Sequence, residues 1–183
     1  MSAPPVLRRA DRIMTSERCV EMLERGFSGR LAVIGEDGHP YCVPLLYVWV
    51  DRAVWLHQTI ARGHLRRSIE REQRVCFEVD EQQGVFDYGR FECDSGLAYR
   101  SVIVFGNIAV VSDSSEKQRF CSALMAKYRR ADTERPKDFY PRLNEIAVYT
   151  MTVARMTGKE VALPDISEQW PAKDRTKTPD AKP

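Results

Sequence analysis

The stretch LHQTIARGHLRRSIERE, Leu56 to Glu72, concentrates side chains that bind anions. It reads as the end of a strand, a short turn and the start of a helix. Arg62, His64, Arg66 and Arg67 all fall at or near the first helical turn. There the macrodipole is positive, and acidic side chains are the usual choice. A strand end, a loop with one glycine and a helix N-terminus together offer free N–H groups, a positive dipole end and cations, which suits a phosphate. Arg62, Gly63 and His64 occupy the turn itself, His57 lies on the strand before it, and Thr59 adds a hydroxyl. A plainer reading competes, in which the cations sit on a solvated face balanced by Glu70, Glu72 and Glu78. That reading is preferred for Arg66, Arg67 and Arg71, which fall away from the Leu65/Ile69 apolar stripe.

Two further segments carry chemical potential. In YRSVIVFG, Tyr99, Arg100 and Ser101 place a cation and a hydroxyl at the mouth of an apolar strand. If the fold brings that mouth to the turn at 62–64, Arg100 completes a forked phosphate clamp; otherwise it is a polar strand start. In PYCVPLLY, Pro44 interrupts an apolar strand and frees backbone groups beside apolar side chains, as a planar cofactor needs, although a plain core strand is favoured from sequence. Metal and nucleophile patterns are weak. Histidines 39, 57 and 64 lack metal-ligand spacing, and no nucleophile elbow, P-loop or dinucleotide fingerprint is present.

The elements that must position these residues follow from periodicity and punctuation. Thr15 or Ser16 caps a helix that Gly26 ends, with Cys19, Val20 and Leu23 on its inner face. Strands are predicted at Leu31–Ile34, Tyr41–Val50 and Ala53–Gln58, joined by GEDGHP and by a tight Asp51-Arg52 turn. The helix opened by Gly63 runs to about Glu72, and RVCFEVD, 74–80, is the next strand. Residues 81–98 are aromatic and glycine-containing without period and are read as a long ordered loop. YRSVIVFGNIAVVSD is a long strand bent at Gly106, and Ser114 or Ser115 caps the following helix. That helix turns either Phe120, Leu124 and Tyr128 or Ala123 and Met125 inward. RPKDFYPRLNEIA is a connection with one helical turn, and VYTMTVARMTGKEV is the last strand. Hairpin-rich strands with intermittent helices predict a small antiparallel barrel with helices packed outside.

Composition bounds the function. The chain has 183 residues, enough for one domain plus tails: an arm over 1–14, a core domain over 15–160 and a tail over 161–183. A net charge of +2 argues for neither nucleic acid nor membrane as partner. No apolar run reaches transmembrane length, and the N-terminus lacks a secretory apolar region. The five cysteines lack paired spacing, and Cys42, Cys76 and Cys121 sit in apolar runs, predicting buried reduced thiols and a cytoplasmic protein. Trp170, isolated in a polar tail, is expected to dock into a groove, with a partner subunit as one place for it.

Three ordered blocks, GRLAVIGEDGHPYCVPLLYVW, VWLHQTIARGHLRRSIEREQRVCFEVDE and YRSVIVFGNIAVVSDSSEKQRF, resemble the pyridoxamine 5′-phosphate oxidase-like proteins. The nearest branch is the nitroimidazole-resistance-like, FMN-binding group, and the likeness covers about residues 8 to 160. The resemblance implies a mainly β (α+β) split β-barrel of antiparallel Greek-key type with peripheral helices. It implies a homodimer with two FMN sites at the interface and an oxidoreductase passing hydride or electrons to or from a small molecule. By position, Val43, Pro44 and Leu45 cradle the isoalloxazine, while His57, Gln58, Thr59, Gly63 and His64 hold ribityl and phosphate groups. Arg100 and Ser101 add a polar contact, and Trp170 covers the flavin from the other subunit. Arg62-Gly63-His64 stands where the oxidase has a Ser-Arg-Lys type clamp, so Arg62 takes over from the missing lysine. The oxidase's basic C-terminal substrate signature is not found, which argues against pyridoxamine phosphate as substrate. Alternatives within the same fold are a flavin carrier or sensor, and a haem or deazaflavin protein with His57 or His64 as the axial ligand of a haem.

Overall fold

A computed structural model describes residues 8–129 and 134–170. Seven antiparallel strands form one sheet in the order β2-β1-β5-β6-β7-β4-β3. In chain order they are β1 Gly29–Ile34, β2 Pro40–Leu45, β3 Tyr47–Val50, β4 Ala53–Thr59, β5 Arg74–Asp87, β6 Ser95–Val111 and β7 Ile146–Val161. The two edge strands of this order, β2 and β3, are separated in sequence by Leu46 alone. The sheet therefore curls until its edges meet, which makes it a barrel, as expected.

Three helices complete the fold: α1 Ser16–Arg25, α2 His64–Arg71 and α3 Ser114–Tyr128. Thr15 caps α1 by accepting from Arg18 N–H, and Gly26 closes it by donating to Met22 O at 2.8 Å. Cys19, Met22 and Leu23 of α1 and Leu65 and Ile69 of α2 join the barrel's interior cluster with Leu31, Phe77, Val102 and Met151. Val20, expected on the inner face of α1, is half-buried, and Met22 takes its place. A second cluster lies outside the barrel, where Phe120, Cys121 and Leu124 of α3 cover Val48, Val111 and Val148. Tyr128 is half-buried and Met125 exposed, which decides which face of α3 turns inward. Asp113, rather than Ser114 or Ser115, caps α3 by accepting from Glu116 N–H at 2.9 Å.

Several expectations need correction. The predicted strand Tyr41–Val50 is two strands broken at Leu46, where the chain passes from one sheet edge to the other, while Pro44, read as a bulge or an unpaired edge, lies on the edge strand β2. Tyr128 Oη sits at that junction, accepting from Tyr47 N–H at 3.2 Å and lying 2.9 Å from Tyr47 O. Residues 81–98 are not one long loop; only 88–94 lie outside strands. β5 runs on to Asp87 and β6 starts at Ser95, so a twisted ribbon projects beyond the barrel, with a bulge between Gln82 and Gly84. Val85, Tyr88, Phe91 and Leu97 on this ribbon are exposed. Cys42 is exposed and Cys76 half-buried, because both point to the barrel's outer face; all five cysteines are free. Residues 8–14 of the expected arm lie against the barrel, where Ile13 bridges Lys159 of β7 and Met14 is buried.

The remaining punctuation is as predicted. Asp51 and Arg52 both take positive φ (52° and 60°) in the tight β3–β4 turn. The β6 strand shifts register between Phe105 and Gly106, and a Cβ on Gly106 would lie 1.8 Å from Thr152 O. Glycine is required there by close backbone approach. The connection before β7 contains one 3₁₀ turn, Leu143–Glu145. Among the described residues no helix is long and apolar enough to cross a membrane.

Candidate functional site

The strand-turn-helix unit β4–α2 forms as its sequence demands, but it divides the residues expected to act together. On β4, Val54 and Leu56 point into the barrel while Trp55 packs in the outer cluster under α3. The same alternation sends His57 outward, where its ring lies 5.5 Å from that of Phe120. Among the described residues the buried His57 Nδ1 has no hydrogen-bond partner, and burial lowers the pKa of the imidazole. Gln58 shares the side of Tyr149, donating from Nε2 to Tyr149 Oη at 2.6 Å. Thr59 ends the β4 ladder opposite Ile146 and is exposed.

The turn that follows is tied at both ends. Ile60 N–H donates to Glu145 O at 2.8 Å. Arg66 Nη1 reaches back to Ile60 O and Arg67 Nη1 to Arg62 O, each at 2.8 Å. Arg67 also meets Glu36 at 2.9 Å, and Arg71 donates to Glu36 O. These arginines do not simply face water, as the stripe argument suggested; they fasten the turn to α2 and to the β1–β2 loop. Sequence reasoning missed Glu36, which is 31 residues from Arg67 and has no local signal.

Arg62 is 69% exposed and donates from Nε and Nη2 to Glu70 Oε2, at 2.9 and 2.7 Å. Arg66 Nε holds the other oxygen of Glu70 at 3.1 Å, the i,i+4 pair its spacing allows. Hydrogen bonds from Arg62, foremost, and from Arg66 hold the Glu70 carboxyl below the usual carboxylate range. The balancing role expected of Glu70 is thus observed, whereas Glu72 pairs with Arg74 and Glu78 with Arg30. His64 stands edge-on to Tyr41, ring centroids 4.6 Å apart, with Nδ1 3.9 Å from Glu36.

Even so, the start of α2 remains suited to an anion. Gly63, its N-cap residue, supplies no side-chain cap, and the first turn contains no acidic residue. The opening N–H groups of a helix have no intrahelical acceptor. Gly63 has an ordinary φ of −77°, and a Cβ there would meet nothing within 4 Å. Among the described residues nothing calls for glycine at this position, which leaves free space at the helix start.

β2 lies close by, through the Tyr41–His64 contact. Val43 and Leu45 pack half-buried on the interior cluster, and Pro44 points outward on the edge strand opposite Arg30. Arg100 and Ser101 lie elsewhere. His57 pairs with Val148 of β7, whereas Arg100 pairs with Glu160 and Ser101 with Lys159. At about 3.3 Å per residue, the twelve residues from Val148 to Glu160 span roughly 40 Å along β7. Within one chain the clamp from Arg100 to the 62–64 turn does not form. Trp170 N–H donates to Asp87 O at 2.9 Å, so the described end of the tail docks on the chain's own ribbon. Residues 171–183 and 1–7 lie outside the described residues.

Among the described residues no helix covers the outer face of β1, β2, β5 and β6. Cross-strand pairing aligns Cys42, Ala32, Cys76, Phe105 and Arg155 in one row, of which Ala32, Cys76 and Phe105 line an open groove of about 460 Å³. The Arg155 Cζ lies over the Phe105 ring, 4.2 Å from its centre, and among the described residues its buried Nε has no acceptor. Among the described residues no cluster of metal-ligating side chains occurs.

Residues 15–160 match the family model described as pyridoxamine 5′-phosphate oxidase. The chain belongs to the pyridoxamine 5′-phosphate oxidase family. No curated protein matches it. Among solved structures, a flavocytochrome from Azotobacter vinelandii superimposes with a TM-score of 0.75 at 19% identity, over 97% of this chain and 79% of that one. A putative 5-nitroimidazole antibiotic resistance protein from Bacteroides thetaiotaomicron gives 0.67 at 20% identity, over 80% and 85%. A FAD- and heme-binding protein from Mycobacterium smegmatis gives 0.66 at 19%, over 92% and 78%. At these identities the likeness concerns the family's split-barrel fold, which the strand order and barrel closure described above share.

Proposed function

We propose that this family member binds FMN and acts as an oxidoreductase on a small molecule, as a homodimer. The observation that carries the reading is the open, uncapped start of α2 beneath Gly63, with Arg62 beside it, in a chain of this family. The flavin phosphate would accept from the opening N–H groups of α2 and from the Arg62 fork, with His64 at its edge. Val43, Pro44 and Leu45 would line the ring system, and Gln58 and Thr59 the ribityl chain. The bound flavin supplies hydride transfer, and the chain supplies position and electrostatics. FAD, bound by some structural neighbours, would use the same phosphate contacts.

The dimer is supported by what one chain leaves incomplete. Arg100 and Ser101 of β6 pair with the end of β7 far from the turn at 62–64, so a second copy is needed for them to reach a flavin there. The uncovered outer face suits such a copy. It carries Arg155 unpaired at one end and Glu78 and Asp80 sharing Arg30 toward the other, which a two-fold axis would make self-complementary. Haem at His57 is disfavoured, since its ring is shut beneath Phe120; His64 would have to serve instead. A carrier or sensor differs from the enzyme in turnover alone.

The test compares FMN and riboflavin affinity in the protein and in Arg62→Ala, His64→Ala and the double variant, with NADH and NADPH offered as donors. The reading expects FMN affinity to fall by about 10-fold or more in the double variant while riboflavin affinity holds. Unchanged FMN affinity there would sink the phosphate assignment. A flavin that binds but is reduced by neither nucleotide nor any small donor would favour the carrier.

A further inference from the structure

The β5–β6 ribbon leaves the barrel with only one of its faces packed. β1 pairs with β5 only as far as Glu78, and β7 pairs with β6 only as far as Tyr99. Beyond these points the ribbon continues through the pairs Gly84–Ala98, Val85–Leu97 and Phe86–Gly96, with no third strand among the described residues. A two-stranded ribbon is at best marginally stable in water unless a face is packed. One face has that packing. Ala98 is fully buried, and the Phe86 ring lies across Gly96, where a Cβ would stand 2.7 Å from Phe86 Cζ. Leu163 Cδ1 lies 4.0 Å from where a Cβ on Gly84 would be. The chain after β7 thus packs back on the ribbon, and Trp170 N–H fastens it to Asp87 O at 2.9 Å.

The opposite face is bare. Val85 and Leu97 stand directly across from one another on it, 72% and 43% exposed. Tyr88 and Phe91 near the tip are exposed as well. Residues 171–183, PAKDRTKTPDAKP, carry no large apolar side chain with which to cover them. The bare face is also not isolated. Along β6, Leu97, Tyr99, Ser101, Ile103 and Phe105 point to one side, and Phe105 lines the groove on the outer face. Val85 and Leu97 therefore extend the same outer surface that the dimer reading gives to a second copy. On that reading a two-fold axis carries Ser101 of one chain to the other's turn at 62–64. Leu97 is four residues farther along the strand, about 13 Å on. The ribbon must then pass over the other chain's turn.

We propose that the ribbon is an arm which each of two copies lays over the start of α2 and the β1–β2 loop of the other. There Val85 and Leu97 of one chain wall the flavin site of its partner. The inference rests on the dimeric flavin reading above, and it assigns the ribbon the role of completing that site. The occupant of the bare face is a second copy because the face is continuous with the surface already needed for one.

The test uses the full-length protein with p-benzoylphenylalanine in place of Leu97. Light and heavy-nitrogen forms are mixed, irradiated and mapped by mass spectrometry. Isotopically mixed crosslinks from position 97 to the β1–β2 loop or α2 are expected. In the Val85→Asp/Leu97→Asp double variant, sedimentation should show the dimer dissociation constant raised by about 30-fold or more. Both side chains are exposed in the single chain, and far-UV circular dichroism reports that the variant is folded. A parent that stays monomeric at about 100 µM overturns the proposal. So do crosslinks confined to one chain or to other parts of the partner, or a folded double variant that dimerises as tightly as the parent. A monomer that sediments with phosphatidylglycerol vesicles overturns it in favour of a membrane surface. FMN is titrated separately. The expected crosslinks without FMN binding refute the flavin reading and leave the arm, whereas FMN binding without them refutes the arm alone.

Discussion

Glu70→Gln should tighten FMN binding. In the structure Glu70 Oε2 accepts two hydrogen bonds from Arg62, the cation best placed beside the start of α2. A phosphate at Gly63 must draw Arg62 away from that carboxylate and must also tolerate its negative charge nearby. Arg62 is 69% exposed, so solvent screens the pair and its loss is worth little to the fold. Removing the competing charge should raise FMN affinity by roughly two- to fivefold at low salt, and by less at high salt. Arg66 keeps its bond to Ile60 O, so the turn should hold its shape. Fluorescence titration with FMN and with riboflavin measures both effects, and only FMN affinity should change. Weaker FMN binding in Glu70→Gln, or equal gains for riboflavin, would refute the idea that Arg62 is held in reserve for a phosphate.

Gly106→Ala should lower thermal stability by about 3 kcal/mol or more, since the added Cβ meets the Thr152 carbonyl rather than a movable side chain; a thermal melt within a degree of the parent would contradict this. Lys127 lies 3.8 Å from the Tyr47 ring centre, and burial pulls its pKa down to about 8. The unfolded chain holds that proton up to about pH 10.4, so folding gains stability as pH rises through this window. The stability of Lys127→Met relative to the parent should therefore decline between pH 8 and 10, as followed by urea unfolding. His57, its pKa lowered by burial, works at the other end. The parent should lose stability relative to His57→Gln as pH falls below about 6.5, where the unfolded imidazole takes a proton that the folded one resists.

Local chemistry made most of the barrel legible. Thr15, Gly26, the Asp51-Arg52 turn and Gly106 act through their own backbone and neighbours, and each is where its type predicts. The ribbon over 81–98 was hidden because neither of its faces is fully buried, so no alternation marks it. The break at Leu46 was hidden for the opposite reason, since both flanking strands are apolar and nothing local shows where the sheet edge is reached. In the candidate site, Arg62, Gly63 and His64 were legible as a turn at a helix start. Glu36, which holds Arg67 and stands beside His64, was not, being brought in by the β1–β2 loop. Strand alternation already parts His57 from Gln58, but spacing alone could not show that Arg100 pairs at the far end of β7 from the turn.

The central claim is that the start of α2 holds a flavin phosphate. It is tested most directly by the visible spectrum of the purified protein, with the released cofactor identified by mass. The account predicts the two absorbance bands of an oxidised flavin and the mass of FMN. A colourless protein that stays colourless after FMN is added, or a Soret band with haem released, would contradict it.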